Sequence, residues 1–526
     1  METVRLWALA LVLASLGVNP AADPGLQVGQ SVREPAVAGQ FYPANAAHLT
    51  AALTAFLHDA VPPRTERPIA VLVPHAGYVY SGQIAADAFR QAAEYRYRTV
   101  VIIGTSHVGS GLGKIAVYPG AAFRTPLGTM PIDEDLRAML LKEDPDCVAD
   151  AAAHAGEHSV EVQVPFIQRL FPAAKIVPIV VGEADFELYV RFGRALARVA
   201  KDRQALIVAS SDLSHYPSAA NAAEVDRRTL EAVAALDAPR LQLTTREQMQ
   251  RAIPALATCA CGEGAIVATI AAAVALGATR GVVISYANSG DVTIGDPKAV
   301  VGYGAVVMTA GERGSDITAL KPPPPVDASA PLEPRDKDAL LVMARETIQR
   351  YLTTETVPLV RLDNARLLRS NGVFVTLRKR GVLRGCIGQI VPTAPLVRLT
   401  GLMALAAALN DTRFEPLRAE ELSDIEIEVS LLTPLRPVAS ASAIVVGRDG
   451  VVLSKDGRSA VFLPSVATEE GWNRDQLLDN LCVKAGLPPG SWRAGTQLSV
   501  FQADAFSEKA VKQEQPPSST RPAPGS

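Results

Sequence analysis

The sequence is poor in the features that bind nucleic acids and in the cysteines that cross-link small secreted domains. Its net charge is -3 over 526 residues and it has no block of basic residues, which leaves nucleic-acid binding without electrostatic support. Its five cysteines do not form a disulfide framework in a chain this long. Hydrophobic residues make up 48% and charged residues 20%, as is typical of globular proteins.

Long apolar runs are absent beyond the first 22 residues, which resemble a secretory signal peptide. The apolar run Leu6–Val18 follows Arg5 and precedes two small residues, Ala21 and Ala22. We therefore expect export to the periplasm or the medium. The alternative is a wrongly assigned start codon upstream of a cytoplasmic protein. No later stretch is long enough to span a bilayer, so we expect no integral membrane segment in the mature chain.

Histidine is scarce, and its distribution confines one kind of chemistry to the N-terminal part of the chain. None of the seven histidines lies beyond position 215. Three of them follow short Val- and Ile-rich runs that are typical of central parallel strands: His75, His107 and His215. Ligands of open α/β sheets bind just beyond the carboxyl ends of strands. Three imidazoles at that edge therefore predict one site, and imidazole suits zinc, copper, iron and nickel.

Other polar residues accompany these histidines. Asp212 precedes His215 closely enough to orient its imidazole, and Cys261 stands before an apolar helix whose dipole favours a thiolate. His158 and Glu161, three residues apart, would share one face of a helix. Each signal alone is weak, because single histidines and buried cysteines are more often structural. Their recurrence at strand and helix ends favours a metal site.

The chain divides into two domains. Strand-like runs alternate with Ala-rich helices over residues 33–309, which predicts an α/β domain with a mostly parallel central sheet. A linker at 310–335 contains four consecutive prolines, which favour an extended spacer. Residues 336–507 mix hairpin-like strands with helices and predict a smaller α+β domain. Residues 508–526 have the composition of a disordered tail.

Several separated motifs of the first domain resemble the Memo family, protein B of the AmmeMemoRadiSam system. That family is similar to the class III extradiol (LigB-type) ring-cleaving dioxygenases, which hold non-haem Fe(II) with two histidines and one carboxylate. The resemblance implies a LigB dioxygenase-like fold. The motifs occur in order at Arg33–Pro43, Pro74–Tyr78, Gly104–His107, His158–Glu161, Ser211–Tyr216 and Cys261–Gly262.

The resemblance also implies roles for individual residues. His75 and His107 match the two metal-ligand histidines, and His215 matches the acid/base histidine of the dioxygenases. Cys261 stands where Memo proteins have a cysteine and the dioxygenases a glutamate. A thiolate shifts the preference towards copper or tightly held iron and departs from the ring-cleaving pattern. Glu263, two residues on, is an alternative oxygen ligand, and the sequence does not choose between the two.

The second domain resembles the AMMECR family, protein A of the same system. Leu383–Gly388 matches the signature hexapeptide of that family. Four residues in or near its strands are candidates for a second polar site: Arg384, Cys386, Asp411 and Arg413. The alternative is a structural strand and turn with an inert thiol. The name of the system implies a radical-SAM protein as a further partner.

Three functions stay open at this point. The first is a metal-dependent, dioxygenase-like oxidoreductase, in which iron or copper binds O₂ or a small oxygen-bearing substrate and His215 moves a proton. The second is a non-catalytic metal-binding adaptor whose pocket binds a peptide or a partner. The third is a hydrolase with a zinc-activated water. We expect one transition metal ion, and a small molecule or a peptide as the ligand.

Overall fold

The computed structural model describes residues 31–108, 113–320, 331–360 and 364–508. The signal-like segment, the four consecutive prolines of the linker and the C-terminal tail lie outside the described residues. The predictions of export, of a stiff spacer and of a disordered tail therefore stay predictions. Within the described ranges, every helix is too short or too polar to cross a membrane.

The first domain alternates strands and helices along the chain. Its strands are Val32–Arg33 (β1), Pro68–Val73 (β2), Thr99–Thr105 (β3), Ile115–Val117 (β4), Ala122–Thr125 (β5), Gly128–Pro131 (β6), Cys147–Ala149 (β7), Lys175–Val181 (β8), Ala205–Ser210 (β9), Arg280–Asn288 (β10), Gly302–Thr309 (β11) and Gly314–Asp316 (β12). Its helices are Ala46–His58 (α1), Tyr78–Arg90 (α2), Glu134–Glu143 (α3), Ala152–Ala155 (α4), His158–Glu161 (α5), Val164–Leu170 (α6), Phe186–Ala200 (α7), Ala219–Ala234 (α8), Ala238–Gln250 (α9) and Glu263–Ala275 (α10).

A nine-stranded sheet in the order β12-β10-β11-β2-β9-β3-β8-β4-β7 is the centre of this domain. Strands β2, β9, β3 and β8 are parallel neighbours, whereas β11 pairs antiparallel with both β2 and β10. The prediction of a mostly parallel sheet in an α/β domain is confirmed. Helices α1, α2 and α6 cover one face, and α7, α8 and α10 cover the other. Because both faces are buried, the central strands consist mainly of apolar residues.

The second domain consists of two antiparallel sheets with helices. Their orders are β14-β13-β15-β20, with α11 and α12 on one face, and β16-β19-β17-β18, with α13 and α14 beside it. The predicted smaller α+β domain is confirmed. The elements are Pro334–Thr354 (α11), Val373–Lys379 (β13), Val382–Gln389 (β14), Leu396–Leu409 (α12), Ile425–Leu432 (β15), Arg436–Val438 (β16), Gly450–Lys455 (β17), Arg458–Phe462 (β18), Pro464–Glu469 (α13), Arg474–Lys484 (α14), Gln497–Phe501 (β19) and Ala503–Ser507 (β20).

Gly385, within the hexapeptide on β14, lies where α12 crosses the strand. A Cβ at this position would stand 2.2 Å from the carbonyl oxygen of Ala407. We expect Gly385→Ala to lower the free energy of unfolding of the second domain by about 1–3 kcal/mol, because strand and helix must move apart. Urea unfolding followed by fluorescence measures this, since Trp472 and Trp492 are the only tryptophans after Trp7.

The matched control for this experiment is Val382→Ala on the same strand. Val382 is exposed, so its truncation is expected to change the free energy of unfolding by less than ~0.5 kcal/mol. Equal stability of Gly385→Ala and the wild type would contradict the close approach of strand and helix.

Candidate metal centre

The three predicted histidines meet at one edge of the central sheet. His75 follows β2, His107 follows β3 and His215 follows β9. Because these strands are parallel neighbours, their carboxyl ends lie side by side. The ring centroids of His75 and His107 are 5.1 Å apart, with the rings nearly perpendicular.

Cys261 completes a set of three metal-binding side chains. The ligand atoms of His75, His107 and Cys261 all lie within 4.8 Å of one another, and Cys261 Sγ is 3.1 Å from His75 Nε2. Two imidazoles and one thiol at this spacing fit a transition metal ion. His75 is buried, Cys261 is partly exposed and His107 is exposed, so the site opens to solvent on the side of His107.

A chain of hydrogen bonds determines the tautomer of His75. The Ser210 hydroxyl donates to the carbonyl oxygen of Ser159 at 2.6 Å and accepts from the Gln163 amide at 2.9 Å. Since its one proton is directed at Ser159, Ser210 Oγ accepts a hydrogen bond from the protonated Nδ1 of His75, 3.1 Å away. His75 Nε2 is therefore unprotonated and turns its lone pair towards Cys261, as in metal-binding histidines. Burial lowers the pKa of His75 and keeps the ring neutral.

Glu157 orients His107 in a similar way, although we did not predict a role for it. Its carboxylate accepts from the backbone N–H of His107 at 2.6 Å and lies 3.0 Å from Nδ1 of the same residue. Burial alone would raise the pKa of Glu157, but the hydrogen bonds from His107 outweigh it and hold the pKa at about 2. A carboxylate bound at Nδ1 leaves Nε2 of His107 available to a metal.

His158 lies beside these residues and has a neutral ring. Its ring centroid is 4.3 Å from that of His107, and its Nδ1 is 3.5 Å from a carboxylate oxygen of Glu157. Burial and the nearby rings of His75 and His107 lower the pKa of His158 to about 3. The predicted additional residue His158 is thus part of the cluster.

Asp212 binds the backbone of the loop that carries His75. Its Oδ1 accepts from the N–H groups of His75 at 2.7 Å and Ala76 at 3.2 Å. Ligand atoms of Asp212, His215 and Cys261 also lie within 4.8 Å of one another. Asp212 is therefore close to His215, and its role in orienting that imidazole stays a prediction. Burial raises the pKa of Asp212 and lowers that of His215.

His215 has a free hydrogen-bonding position. Among the described residues its Nε2 is buried and has no hydrogen-bond partner. Buried polar atoms in folded proteins are nearly always satisfied. A ligand bound next to Cys261 is therefore expected to complete the hydrogen bonding of His215.

Glu161 does not belong to the cluster, although its spacing from His158 predicts that the two residues share a helix face. Helix α5 has four residues, too few for the face-sharing rule to determine which side chains meet. The Glu161 carboxylate is fully buried in an ion pair of 2.5 Å with Arg33, and it accepts a hydrogen bond of 2.6 Å from the Tyr42 hydroxyl. Glu161 thus anchors the N-terminal segment of the domain.

Glu263 also lies outside the cluster. It is the first residue of α10, and its carboxylate interacts with the Thr245 side chain of α9. Burial raises the pKa of Glu263. The Cys259 thiol is also directed at α9, since its Sγ is 3.7 Å from the Thr245 carbonyl oxygen. Of the residues in this turn, Cys261 is the one whose ligand atom faces His75.

The four candidates of the second domain separate into two groups. The Cys386 backbone N–H donates to Asp411 at 2.8 Å, and Arg413 binds both oxygens of Asp411 at 2.9 and 2.6 Å. Arg384 pairs instead with Glu421 at 3.0 and 3.2 Å. The structure therefore brings together Cys386, Asp411 and Arg413, but not Arg384. Within each of the two groups, the carboxylate pairs with the guanidinium.

The fold and the cluster define a class of α/β proteins with histidines and a cysteine at the carboxyl edge of a parallel sheet. The model of the family described as Memo-like protein matches residues 33–307, which is more than half of the chain. The AMMECR1 model matches residues 341–506. The chain belongs to the Memo-like protein family and carries an AMMECR1 domain after it.

Individual relatives match the first domain. A MEMO1 family protein of Aquifex aeolicus is 43% identical over 274 residues, which are 52% of this chain and 97% of that protein. A MEMO1 family protein of Methanopyrus kandleri is 37% identical over 292 residues, or 53% and 99% of the two chains. Among solved structures, the uncharacterized protein PH0010 from Pyrococcus horikoshii is 37% identical in sequence. The match covers 32% of this chain and 90% of that chain, with a TM-score of 0.32.

The tautomer of His75 gives a first testable prediction for this site. In the metal-free protein, we expect Nδ1 of His75 to carry the proton and Nε2 to be unprotonated, which ¹⁵N chemical shifts of labelled histidine measure directly. Ser210→Ala removes the acceptor for Nδ1–H and is expected to weaken metal binding about 10–100-fold. A proton on Nε2 in the wild type would contradict the hydrogen-bond assignment.

Asp226 of α8 stabilises the segment that leads into His215. Its Oδ1 accepts from the Ser214 N–H at 2.9 Å, and its Oδ2 accepts from the Ser214 hydroxyl at 3.0 Å and from the Tyr286 hydroxyl at 2.9 Å. The carboxyl group is fully buried, and burial raises its pKa to about 7. The folded protein therefore holds a proton here that the unfolded chain releases near its ordinary pKa of 3.8.

This raised pKa predicts a pH-dependent loss of stability. As the pH rises from about 4 to about 7, the folded state binds more protons than the unfolded state, so stability falls and then levels off. Asp226→Asn cannot ionise, and its stability relative to the wild type is expected to rise over the same range. Calorimetric unfolding between pH 4 and 9 measures this, with Asp135→Asn as the control, because Asp135 lies on the exposed side of α3. A difference that does not depend on pH would refute the prediction.

Proposed function

We propose that the first domain binds one transition metal ion, iron or copper, through His75, His107 and Cys261, and acts as an oxidoreductase on a small oxygen-bearing molecule. The observation that carries the proposal is the convergence of the three ligand atoms within 4.8 Å. A bound metal would supply Lewis-acid and redox chemistry at this position. Burial raises the pKa of the Cys261 thiol, against the expectation that the helix dipole favours a thiolate. A metal would bind Cys261 with release of this proton, and the resulting soft thiolate would favour copper or iron over hard cations.

The surrounding residues would orient the ligand and transfer a proton. His215 Nε2 is buried without a partner among the described residues, and the ring is neutral because burial lowers its pKa. A neutral imidazole exchanges a proton at this nitrogen, and Asp212 stabilises the imidazolium that forms. The proposed acid/base role of His215 therefore follows from its free nitrogen and from the carboxylate beside it.

The metal content of protein purified anaerobically and without an affinity tag tests the proposal. We expect near-stoichiometric iron or copper in the wild type and loss of most of it in His75→Ala and Cys261→Ser. Glu263→Gln is the matched control and should retain the metal, because the Glu263 carboxylate is engaged with Thr245. Mass spectrometry of the metals in the four proteins gives the result.

Three outcomes would overturn parts of the proposal. Stoichiometric zinc in place of iron or copper would contradict the redox function and favour a hydrolase. Absence of metal, without uptake of added Fe(II), Cu(I) or Zn(II), would overturn the metal centre and favour an adaptor that binds a peptide or a partner protein. Loss of metal from Glu263→Gln equal to that from Cys261→Ser would contradict the assignment of the third ligand.

His215→Gln separates metal binding from proton transfer. We expect this variant to hold as much metal as the wild type, because His215 is not among the three proposed ligands. A substrate is first identified with the wild type by screening in the presence of O₂. The variant should then oxidise this substrate about 10²–10⁴-fold more slowly, which is the usual contribution of a general acid or base. Unchanged turnover would show that another group moves the proton.

A further inference from the structure

The second domain packs against the loop that runs from β10 to β11. Val292 of this loop forms a β-bridge with Leu359 of the second domain. Val292, Val357 and Leu405 form a buried apolar cluster shared by both domains. Because such burial excludes water from both surfaces, the two domains form a packed interface at this loop.

The same interface reaches the helix that follows His75. Val79 and Tyr80, in the first turn of α2, pack against the shared apolar cluster. At the rim, the Arg350 guanidinium binds Asp59. The second domain therefore contacts two elements close to the histidine cluster. These are α2, which follows His75, and the loop between β10 and β11.

Arg398 of α12 is a buried charged residue of this interface. It is 7% exposed, and its Nη1 donates to the carbonyl oxygen of Gly290, within the short 3-10 helix Ser289–Asp291. The nearby Asp291 carboxylate partly compensates the desolvation of the guanidinium. A buried charge is stable only where it has specific partners, so Arg398 fixes the position of the 3-10 helix relative to the second domain.

From this 3-10 helix, hydrogen bonds continue to His215. The Ser289 N–H donates to Val301 O at 2.9 Å, and the Val301 N–H donates to Ser289 Oγ at 3.0 Å. Val301 in turn forms a β-bridge with His215. The next residue, Tyr216, has a positive φ of 72° and donates its N–H to Val300 O at 2.7 Å. The backbone around His215 thus depends on the position of residues 300–301.

We propose that Arg398 is a positioning residue for the centre in the first domain. By fixing Gly290, it holds the loop between β10 and β11 and, through Val301, the backbone of His215. The second domain then helps to position residues of the site and is not merely attached to the first domain through the linker. The consequence for turnover rests on the proposed function, but the position of His215 is measurable in the metal-free protein.

Imidazole NMR of the metal-free full-length protein tests this inference. All seven histidines precede residue 216, so a ¹⁵N-histidine spectrum reports on the first domain alone, and His215→Gln assigns the signal. We expect Arg398→Ala to shift or broaden the His215 signal more than that of His154, which is buried against Tyr118 and Phe123. Arg398→Lys should restore most of the wild-type signal, because an ammonium group also donates to a carbonyl oxygen.

Arg380→Ala is the matched control, since Arg380 lies in the second domain and is exposed in a pair with Asp424. It should leave all the histidine signals unchanged. An unchanged His215 signal in Arg398→Ala would overturn the proposal, and so would an equal shift of His154. Because the measurement needs no metal, a failed metal assay and a failed positioning test are separate results.

A second measurement covers the case in which Arg398→Ala does not fold. A protease site inserted between Leu320 and Pro331 allows the intact folded chain to be cut between the domains. We expect the two fragments to elute together from a sizing column with the His215 signal preserved. Fragments that separate while the His215 signal stays unchanged would show that the second domain does not position this residue.

Discussion

The candidate centre depends on the order of three neighbouring strands, β2, β9 and β3. Each strand ends in a polar loop, and parallel pairing places the three ends side by side. Histidines that are separated by 32 to 140 positions in the chain consequently meet at one edge of the sheet. Cys261 joins them because α10 packs on the same sheet and begins two residues later. A change in strand order would disperse the whole site.

The second constraint is the satisfaction of polar groups in a largely buried place. Ser210, Glu157 and Asp212 accept hydrogen bonds from the rings or backbones of the histidine loops. A buried imidazole without such partners would be destabilising and free to rotate. These contacts fix the Nδ1 sides of His75 and His107 and leave the Nε2 sides for a ligand. The exception among the described residues is His215 Nε2, which is buried without a hydrogen-bond partner.

The histidines could be found in the sequence because their signal is local, a polar residue directly after a Val- and Ile-rich run. Glu157 and Ser210 could not, because their roles depend on contacts with residues about 50 or more positions away. The spacing of His158 and Glu161 predicted a shared helix face but not their partners, which are His107 for the first and Arg33 for the second. The partners of Arg398 depend on how two domains pack, and no pattern in either domain contains that information.

The surroundings of His107 and of His215 differ, and this difference bears on the role of the second domain. The His107 side is exposed and gives access to solvent. The second domain contacts the loop that leads to the His215 backbone and the first turn of α2. This contact bears on the angle at which His215 meets a bound molecule. The fused domain is therefore expected to affect the rate of proton transfer more than the affinity for the ligand, because positioning contributes mainly to the reacting geometry.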